Sequence, residues 1–255
     1  MRDFTVKQYE QLLESLIEAR FEFQRFDAFL KAPKNRVIML RHDVDARNQN
    51  SLRFARIQHA LGIQGTYYFR MVRGSFDPAV IEEMLKLGHE IGYHYEDMDF
   101  AKGDPKKAIA FFEKHLAELR AVAPIHTLCM HGSPRSAFDN KDIWQHIRYQ
   151  DYDLIGEPYY DLDFNEVFYL TDTGRRWDGF QFSVRDRVAH QSNWPVFHST
   201  KEICQATKEE SFPSKVMFNF HPQRWDDQLY PWCKELALQG LKNQIKRLFF
   251  VRSKG

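Results

Sequence analysis

From residue 36 onward, short apolar or aromatic runs keep alternating with stretches of helical spacing, and this alternation limits the fold more than any other feature of the sequence. The runs are 36–40 (RVIML), 65–71 (GTYYFRM), 89–94 (HEIGYH), 126–131 (HTLCMH), 152–160 (YDLIGEPYY), 166–172 (EVFYLTD) and 215–222 (KVMFNFHP), each with the length and residue types of a strand. An opening helix carries Tyr9, Leu12, Leu13, Leu16 and Ile17 on one face, and a second runs over 50–61 through Leu52, Ala55, Ile57 and Leu61 to Gly62. Asp77 before Pro78, and Asp104 before Pro105, each place a capping carboxylate ahead of a proline that suits the first helical position. The helices they start are carried by Ile81, Met84 and Leu85 up to Gly88, and by Ile109, Phe112, Leu116 and Leu119. The second half is less regular until a closing helix through Leu238, Leu241, Ile245 and Leu248. Strands alternating with helices in this way make βα units and a mainly parallel sheet. An α/β barrel or incomplete barrel is expected, because no glycine-rich phosphate loop follows the first strand as a dinucleotide-binding open sheet would require.

Composition removes several function classes. With 36 Lys and Arg against 35 Asp and Glu, the net charge of +1 supplies no basic field for nucleic acid. No window reaches the roughly 18 apolar residues of a membrane span, and charges interrupt the first 20 residues where a signal peptide would be apolar. A cytoplasmic location is therefore expected. Cys129, Cys204 and Cys233 are odd in number and widely spaced, which fits free thiols in a reducing compartment. Aromatic residues make up 15% of the chain, enough to fill a core and leave some for stacking on sugar rings.

In parallel α/β barrels the chemistry sits where strands end. Here the first strand ends in His42, Asp43 and Asp45, the third in His94 with Glu96 and Asp97 behind it, the fourth in His131 and the last in His221. Any one of these has an ordinary explanation as a cap or a hydrogen-bonded histidine; four strands ending alike do not. Asp43 and Asp45 are two apart, so their side chains share one face of an extended chain. Two carboxylates so placed repel unless a cation lies between them, and a divalent metal with one carboxylate as ligand and the other as base resolves the repulsion.

The series LRHDVD, GTYYFR, LGHEIGYHYED, MHGSP and FNFHP, in that order over residues 36–225, resembles the polysaccharide deacetylase family, the carbohydrate esterase family 4 type. The resemblance implies a distorted (β/α) barrel with about seven mainly parallel strands and one catalytic domain over 1–255, its core at 36–225 and helices flanking it. It also implies a divalent metal, usually zinc, and hydrolysis of an N-acetyl group on a sugar. Carried over by motif, Asp43 is the catalytic base, Asp45 and His94 are metal ligands and His221 is the general acid. Where the family has a further ligand four residues after the first histidine, this chain has Met98, a poor ligand for such an ion. His131, standing where the family often has Arg, is taken as the third ligand, with Asp97 as the alternative.

Two further clusters suit a sugar: Arg175, Arg176, Trp177 and Asp178 in TDTGRRWDG, and Arg224 with Trp225 in HPQRW. Trp faces stack on pyranoses, and Arg and Asp bond hydroxyls or a charged substituent. The expected substrate is an amino sugar of a cell-envelope polysaccharide or its activated or lipid-linked precursor, as in O-antigen or lipopolysaccharide synthesis. Two other readings are an amidohydrolase acting on a small non-sugar amide and a glycan-binding module without catalysis.

Overall fold

The computed structural model describes residues 2–133, 136–178, 188 and 194–246. Its elements run α1 (Val6–Glu18), β1 (Glu22–Gln24), α2 (Phe26–Lys31), β2 (Val37–Val44), α3 (Asn48–Ala60), β3 (Thr66–Phe69), α4 (Pro78–Lys86), β4 (Glu90–Tyr95), α5 (Asp97–Phe100), α6 (Pro105–Arg120), β5 (Leu128–Met130), α7 (Pro158–Asp161), β6 (Phe168–Thr171), α8 (Thr200–Lys208), β7 (Lys215–Phe220) and α9 (Leu229–Lys246). Six strands form the path β5-β4-β3-β2-β7-β6, and the short β1 pairs beside the start of β2. All pairings are parallel. No ladder joins β5 to β6 among the described residues, so the sheet curls as a half-barrel with helices around it, an α/β distorted barrel.

The curl follows from the side chains facing inward. Val37 and Met39 of β2, Tyr68 of β3, Cys129 of β5, Tyr169 of β6 and Met217 of β7 pack into one buried cluster with Phe26 and Phe29 of α2, so strands from opposite edges of the sheet meet across the interior. The intervening residues of the same strands face the helices. Tyr67, Phe69, Ile91, Tyr93 and Tyr95 join α4 and α6 in a second cluster, while Ile38, Leu40, Phe218 and Phe220 join α1 and α8 in a third. On β4 the interior position falls on Gly92, and a Cβ there would collide with the Tyr68 ring, so only glycine lets that ring fill the barrel. The helix starts read from Asp77 and Asp104 are present: each carboxylate accepts a first-turn N–H, from Ala79 at 3.1 Å and from Lys106 at 3.1 Å.

Residues 152–160 correct the sequence reading. They contribute a single bridge, Gly156 to Thr127, and no strand. Glu157 and Pro158 instead start α7, Glu157 accepting the Tyr159 N–H at 2.5 Å and proline taking the first helical position. The closing helix lies within α9, but Leu248 falls outside the described residues. No helix among the described residues is long and apolar enough to cross a membrane.

Glu157 also gives the fold a measurable pH dependence. Its other oxygen accepts the Met130 N–H at 2.9 Å, the side chain is wholly buried, and burial pushes its pKa from 4.5 up to about 7. Because the folded-state pKa lies above the unfolded one, its contribution to stability is complete below about pH 4.5 and is lost as pH rises through about 7. A shift of this size corresponds to about 3 kcal/mol. Urea unfolding of wild type and Glu157→Gln should give stabilities that diverge between pH 5 and 8, the variant showing the flatter profile. Parallel profiles would show that Glu157 is not the group titrating.

Candidate active site

Strand alternation builds the site in layers. On β2, Arg41 and Asp43 project into the barrel above Val37 and Met39, whereas His42 turns outward, bonding the Thr66 carbonyl, Tyr9 OH and Gln58. Arg41 is buried and grips Asp43 with two parallel bonds, Nε to Oδ1 at 2.9 Å and Nη2 to Oδ2 at 2.8 Å. Asn219 of β7 donates a third bond to Asp43 Oδ2 at 3.1 Å. A carboxylate offers about four lone-pair directions, so about one stays uncommitted. Burial alone would raise the Asp43 pKa, but Arg41, then His94 and His221, outweigh it and bring the carboxyl down to about 2.

Asp45 lies just past the end of β2, its N–H turned back to the Asp43 carbonyl at 3.0 Å. The strand does not persist that far, yet this turn keeps both carboxylates over the same opening. Oδ2 of Asp45 accepts from the neutral Gln223 amide at 3.1 Å, and buried Oδ1 has no hydrogen-bond partner. Two imidazole nitrogens face it instead: His94 Nε2 at 3.6 Å and His131 Nε2 at 3.7 Å. Both rings are turned by contacts on their far sides. His94 Nδ1 lies 2.9 Å from the Cys129 carbonyl, which fixes the proton on Nδ1 and leaves the Nε2 lone pair facing the aspartates. His131 Nδ1 lies 2.9 Å from Glu96 Oε2, and Glu96 is itself forked to Arg70 at 2.7 and 2.9 Å. Burial works against the Glu96 charge, but His131 and Arg70 prevail and hold its pKa at about 2.

These separations suit a metal. Ligands about 2.1 Å from a tetrahedral ion stand about 3.4 Å from one another, close to the 3.6 and 3.7 Å seen around the partnerless Asp45 oxygen. Imidazole nitrogens backed by a carbonyl and a carboxylate are the usual donors for zinc. Among the described residues, the triplets whose potential donor atoms all lie within 4.8 Å of one another are Asp43, His94 and Cys129, and Glu96, Asp99 and His131. Each contains a carboxylate already forked by a guanidinium, Asp43 by Arg41 and Glu96 by Arg70, which opposes a second cation there. The His94 edge nearest Cys129 is also spent on that residue's own carbonyl. Asp45 carries no such competing cation.

His221 follows β7 and faces the same opening, Nε2 3.9 Å from Asp43 Oδ2 and 4.0 Å from Asp45 Oδ2. Behind it, Asp172 accepts from Nδ1 at 2.5 Å and from the His221 backbone N–H at 2.9 Å. Asp172 is held in turn by the Trp225 indole N–H at 2.6 Å and by Arg224 at 3.4 Å. Although burial opposes its charge, the His221 and Arg224 contacts keep the Asp172 carboxyl below its ordinary range. This support resembles the carboxylate behind a catalytic histidine: it fixes the orientation and tautomer of the ring.

Asp43, Asp45, His94, His131 and His221 thus come together at one end of the barrel. Asp97 does not join them. Its carboxylate meets Tyr93 OH and His115 Nδ1, each at 2.8 Å, on the helix side of β4, and Met98 is buried in the same outer cluster.

The residues expected to bind sugar are mostly buried or paired within the protein. Trp177 is 3% exposed, packed among Phe4, Phe218, Phe220 and Trp225 with its N–H on Thr200, and offers no free face. Trp225 is 1% exposed and acts through its N–H on Asp172. Arg175 lies beneath α9, its guanidinium 4.5 Å from the Trp232 ring and donating to the Trp232 carbonyl. Asp178 is forked by Arg176 and touched by His198, away from the opening. Arg224 stays close to His221 through Asp172, the residue that the Trp225 indole also holds.

Arg41, Glu96, Asn219 and Asp172 were not singled out as functional. All had a signal: Arg41, Asn219 and Glu96 lie two residues along the chain from Asp43, His221 and His94, on the same strand face, and Asp172 ends β6 just as His221 ends β7.

No family model matches the sequence, and no curated protein does. Among solved structures the chain is similar to a CE4 family pseudoenzyme from Bacillus anthracis (10% identity, 84% of this chain and 62% of that one, TM-score 0.46). It is also similar to a family 4 carbohydrate esterase from Bacillus anthracis (11% identity, 83% and 77%, TM-score 0.43). A third is PdaA of Bacillus subtilis, a family 4 carbohydrate esterase (12% identity, 92% and 84%, TM-score 0.42). The chain spans less than two thirds of the pseudoenzyme's length.

Proposed function

We propose that this chain is a metal-dependent hydrolase that removes an N-acetyl or related acyl group from an amino sugar, in a cell-envelope polysaccharide or its activated or lipid-linked precursor. The observation that carries the reading is the partnerless Asp45 Oδ1 faced by His94 and His131, with Asp43 and His221 on the same opening. The motif series from HDVD to FNFHP supports the choice of an amide on a sugar.

Asp45, His94 and His131 would hold the ion, zinc by their donor types. When bound, such an ion supplies Lewis acidity that lowers the pKa of water towards about 7 and favours charge on the amide oxygen. Asp43 stays ionised at neutral pH and has about one lone pair free to take a proton from the attacking water. Arg41 and Asn219 fix the plane of the carboxylate. His221, oriented by Asp172 behind it, gives a proton from Nε2 to the departing nitrogen, since an amine leaves poorly until protonated. Water's oxygen ends on the acyl carbon, the C–N bond breaks, and acetate and a free amino sugar result.

The test is acetate and primary-amine release from N-acetylhexosamines offered as polymer, nucleotide sugar and lipid-linked forms. Equal amounts of both products, abolished by a chelator and restored by zinc, are expected from at least one form. Ring opening of small cyclic amides without acetate release would identify an amidohydrolase instead. Absence of both turnover and stoichiometric metal would leave only a binding module.

A further inference from the structure

Two of the three proposed ligands stand where the sheet no longer fixes the backbone. β2 ends at Val44 and β5 at Met130, so Asp45 and His131 each lie one residue past a strand. His94 lies within β4 and has the Cys129 carbonyl behind its ring. Groups beyond a strand end are held only as well as their surroundings hold them.

The ion pair of Arg70 and Glu96 reaches both. Arg70 follows β3 and Glu96 follows β4. The guanidinium forks the Glu96 carboxylate with Nε and Nη2, at 2.9 and 2.7 Å, and its remaining nitrogen, Nη1, donates to the Asp45 carbonyl at 3.3 Å. Glu96 Oε2 lies 2.9 Å from His131 Nδ1. The ends of β2, β3, β4 and β5 are laced together through this pair.

The anchoring continues behind it. The Arg70 N–H donates to Ser75 Oγ at 2.9 Å, and Ser75, fully buried, donates to the Val44 carbonyl next to Asp45. The His131 backbone is held too, its N–H on the Tyr95 carbonyl at 2.9 Å and its carbonyl accepting from buried Asn140 at 2.9 Å. That leaves the turn of the ring, and Glu96 faces it. A carboxylate beside Nδ1 favours the tautomer with its proton there and makes Nε2 a better donor to an ion. Arg70 neutralises Glu96 and occupies both its oxygens, so this carboxylate backs a ligand without becoming one.

We propose that Arg70 and Glu96 are positioning residues, which together clamp the Asp45 turn and the His131 ring at the spacing an ion needs. The inference rests on the reading of Asp45, His94 and His131 as the metal site and adds the pair that presets two of those ligands.

Zinc affinity of the metal-stripped whole chain, measured by competition with a chromogenic chelator, tests it. Glu96→Gln removes the charge and keeps the shape; Arg70→Lys keeps the charge and loses the fork and the reach to Asp45. Each should weaken zinc binding by about 10–100-fold. The visible absorption bands of the cobalt-loaded protein should move in both, because the ligand geometry moves. Asp27→Asn is the control. Arg25 forks Asp27 at 3.0 Å through both oxygens, and Asp27 is nearly as buried as Glu96, but it sits by the start of β4 and not its end. It should keep zinc affinity within about 2-fold, as distant sites do. Should Glu96→Gln fail to fold in its metal-free melting curve, Arg70→Lys, which strands no charge, carries the test. A variant that melts lower without zinc yet binds it as tightly as wild type would make the pair a fold support and overturn the proposal. An unchanged cobalt spectrum, or an equal loss of affinity in Asp27→Asn, would overturn it as well. If wild type binds no zinc, the metal reading fails and this inference with it; if wild type and both variants bind equally, this inference alone fails.

Discussion

Replacing His221 with alanine should lower turnover by about two to four orders of magnitude while the melting temperature changes little. The asymmetry follows from what each partner loses. His221 touches the body through Asp172, and with the ring gone Asp172 still has the Trp225 indole N–H and Arg224. No buried charge is stranded. Asp43→Asn should be as damaging to turnover but should also unfold more easily. It weakens a fully buried ion pair with Arg41, and stranding one partner of such a pair costs about 3–5 kcal/mol. A fall in activity for Asp43→Asn is therefore interpretable only beside its melting curve, whereas His221→Ala reads the chemistry almost alone. Asp172→Asn is the graded control. The acid remains but its tautomer is no longer fixed, so kcat should fall with little change in KM. Full activity in His221→Ala would remove the proposed acid. An unchanged kcat in Asp172→Asn would reduce Asp172 to a structural support.

The parts of the site that were legible in the sequence were those fixed by strand periodicity. In an extended chain Asp43 and Asp45 must share a face, and in a parallel sheet the strands must open at a common end, so Asp43, His94, His131 and His221 were bound to meet once the strands were recognised. What failed was inference about side chains beyond a strand end. Trp177 and Trp225 lie in segments rich in charge, which reads as surface, but Phe4, Tyr9, Phe54 and Phe220 enclose them from elsewhere in the chain. No local pattern announces that enclosure. Asp97 failed for a related reason: α5 starts at that residue and turns its carboxylate to Tyr93 and His115 on the outer face.

Some misses had a readable signal. α8 begins with Ser199, whose hydroxyl accepts the Glu202 N–H at 3.2 Å, with the Glu202 carboxylate reaching back to Ser199. That Ser-x-x-Glu pattern marks a helix start even where apolar spacing is thin. The Glu157–Pro158 pair in 152–160 is another start signal, set among aromatic residues that by themselves suit a strand. β1 has three residues and no apolar alternation, and its strand character comes only from pairing with Val37–Met39.

The second large effect concerns the metal, and it separates the possible ligand sets. Purified protein should contain about one zinc per chain, and His131→Ala should weaken zinc binding by at least about 100-fold. Even groups standing behind a ligand are worth about 10–100-fold, and His131 would contact the ion directly. His94→Ala and Asp45→Asn should behave the same way, because their facing atoms lie within 3.6–3.7 Å of one another or of His131. Asp97→Asn should keep its zinc, since that carboxylate is committed to Tyr93 and His115 across the sheet. Cys129→Ala is the decisive control. Its thiol is buried in the interior cluster, and the backbone carbonyl that orients His94 survives the substitution, so zinc should stay bound. Metal content by mass spectrometry, with the zinc-dependent rise in melting temperature as a second readout, checks the whole series. If Cys129→Ala loses its zinc while His131→Ala keeps it, the ion belongs to Asp43, His94 and Cys129. Asp43 would then be a ligand, and the base would have to be sought elsewhere.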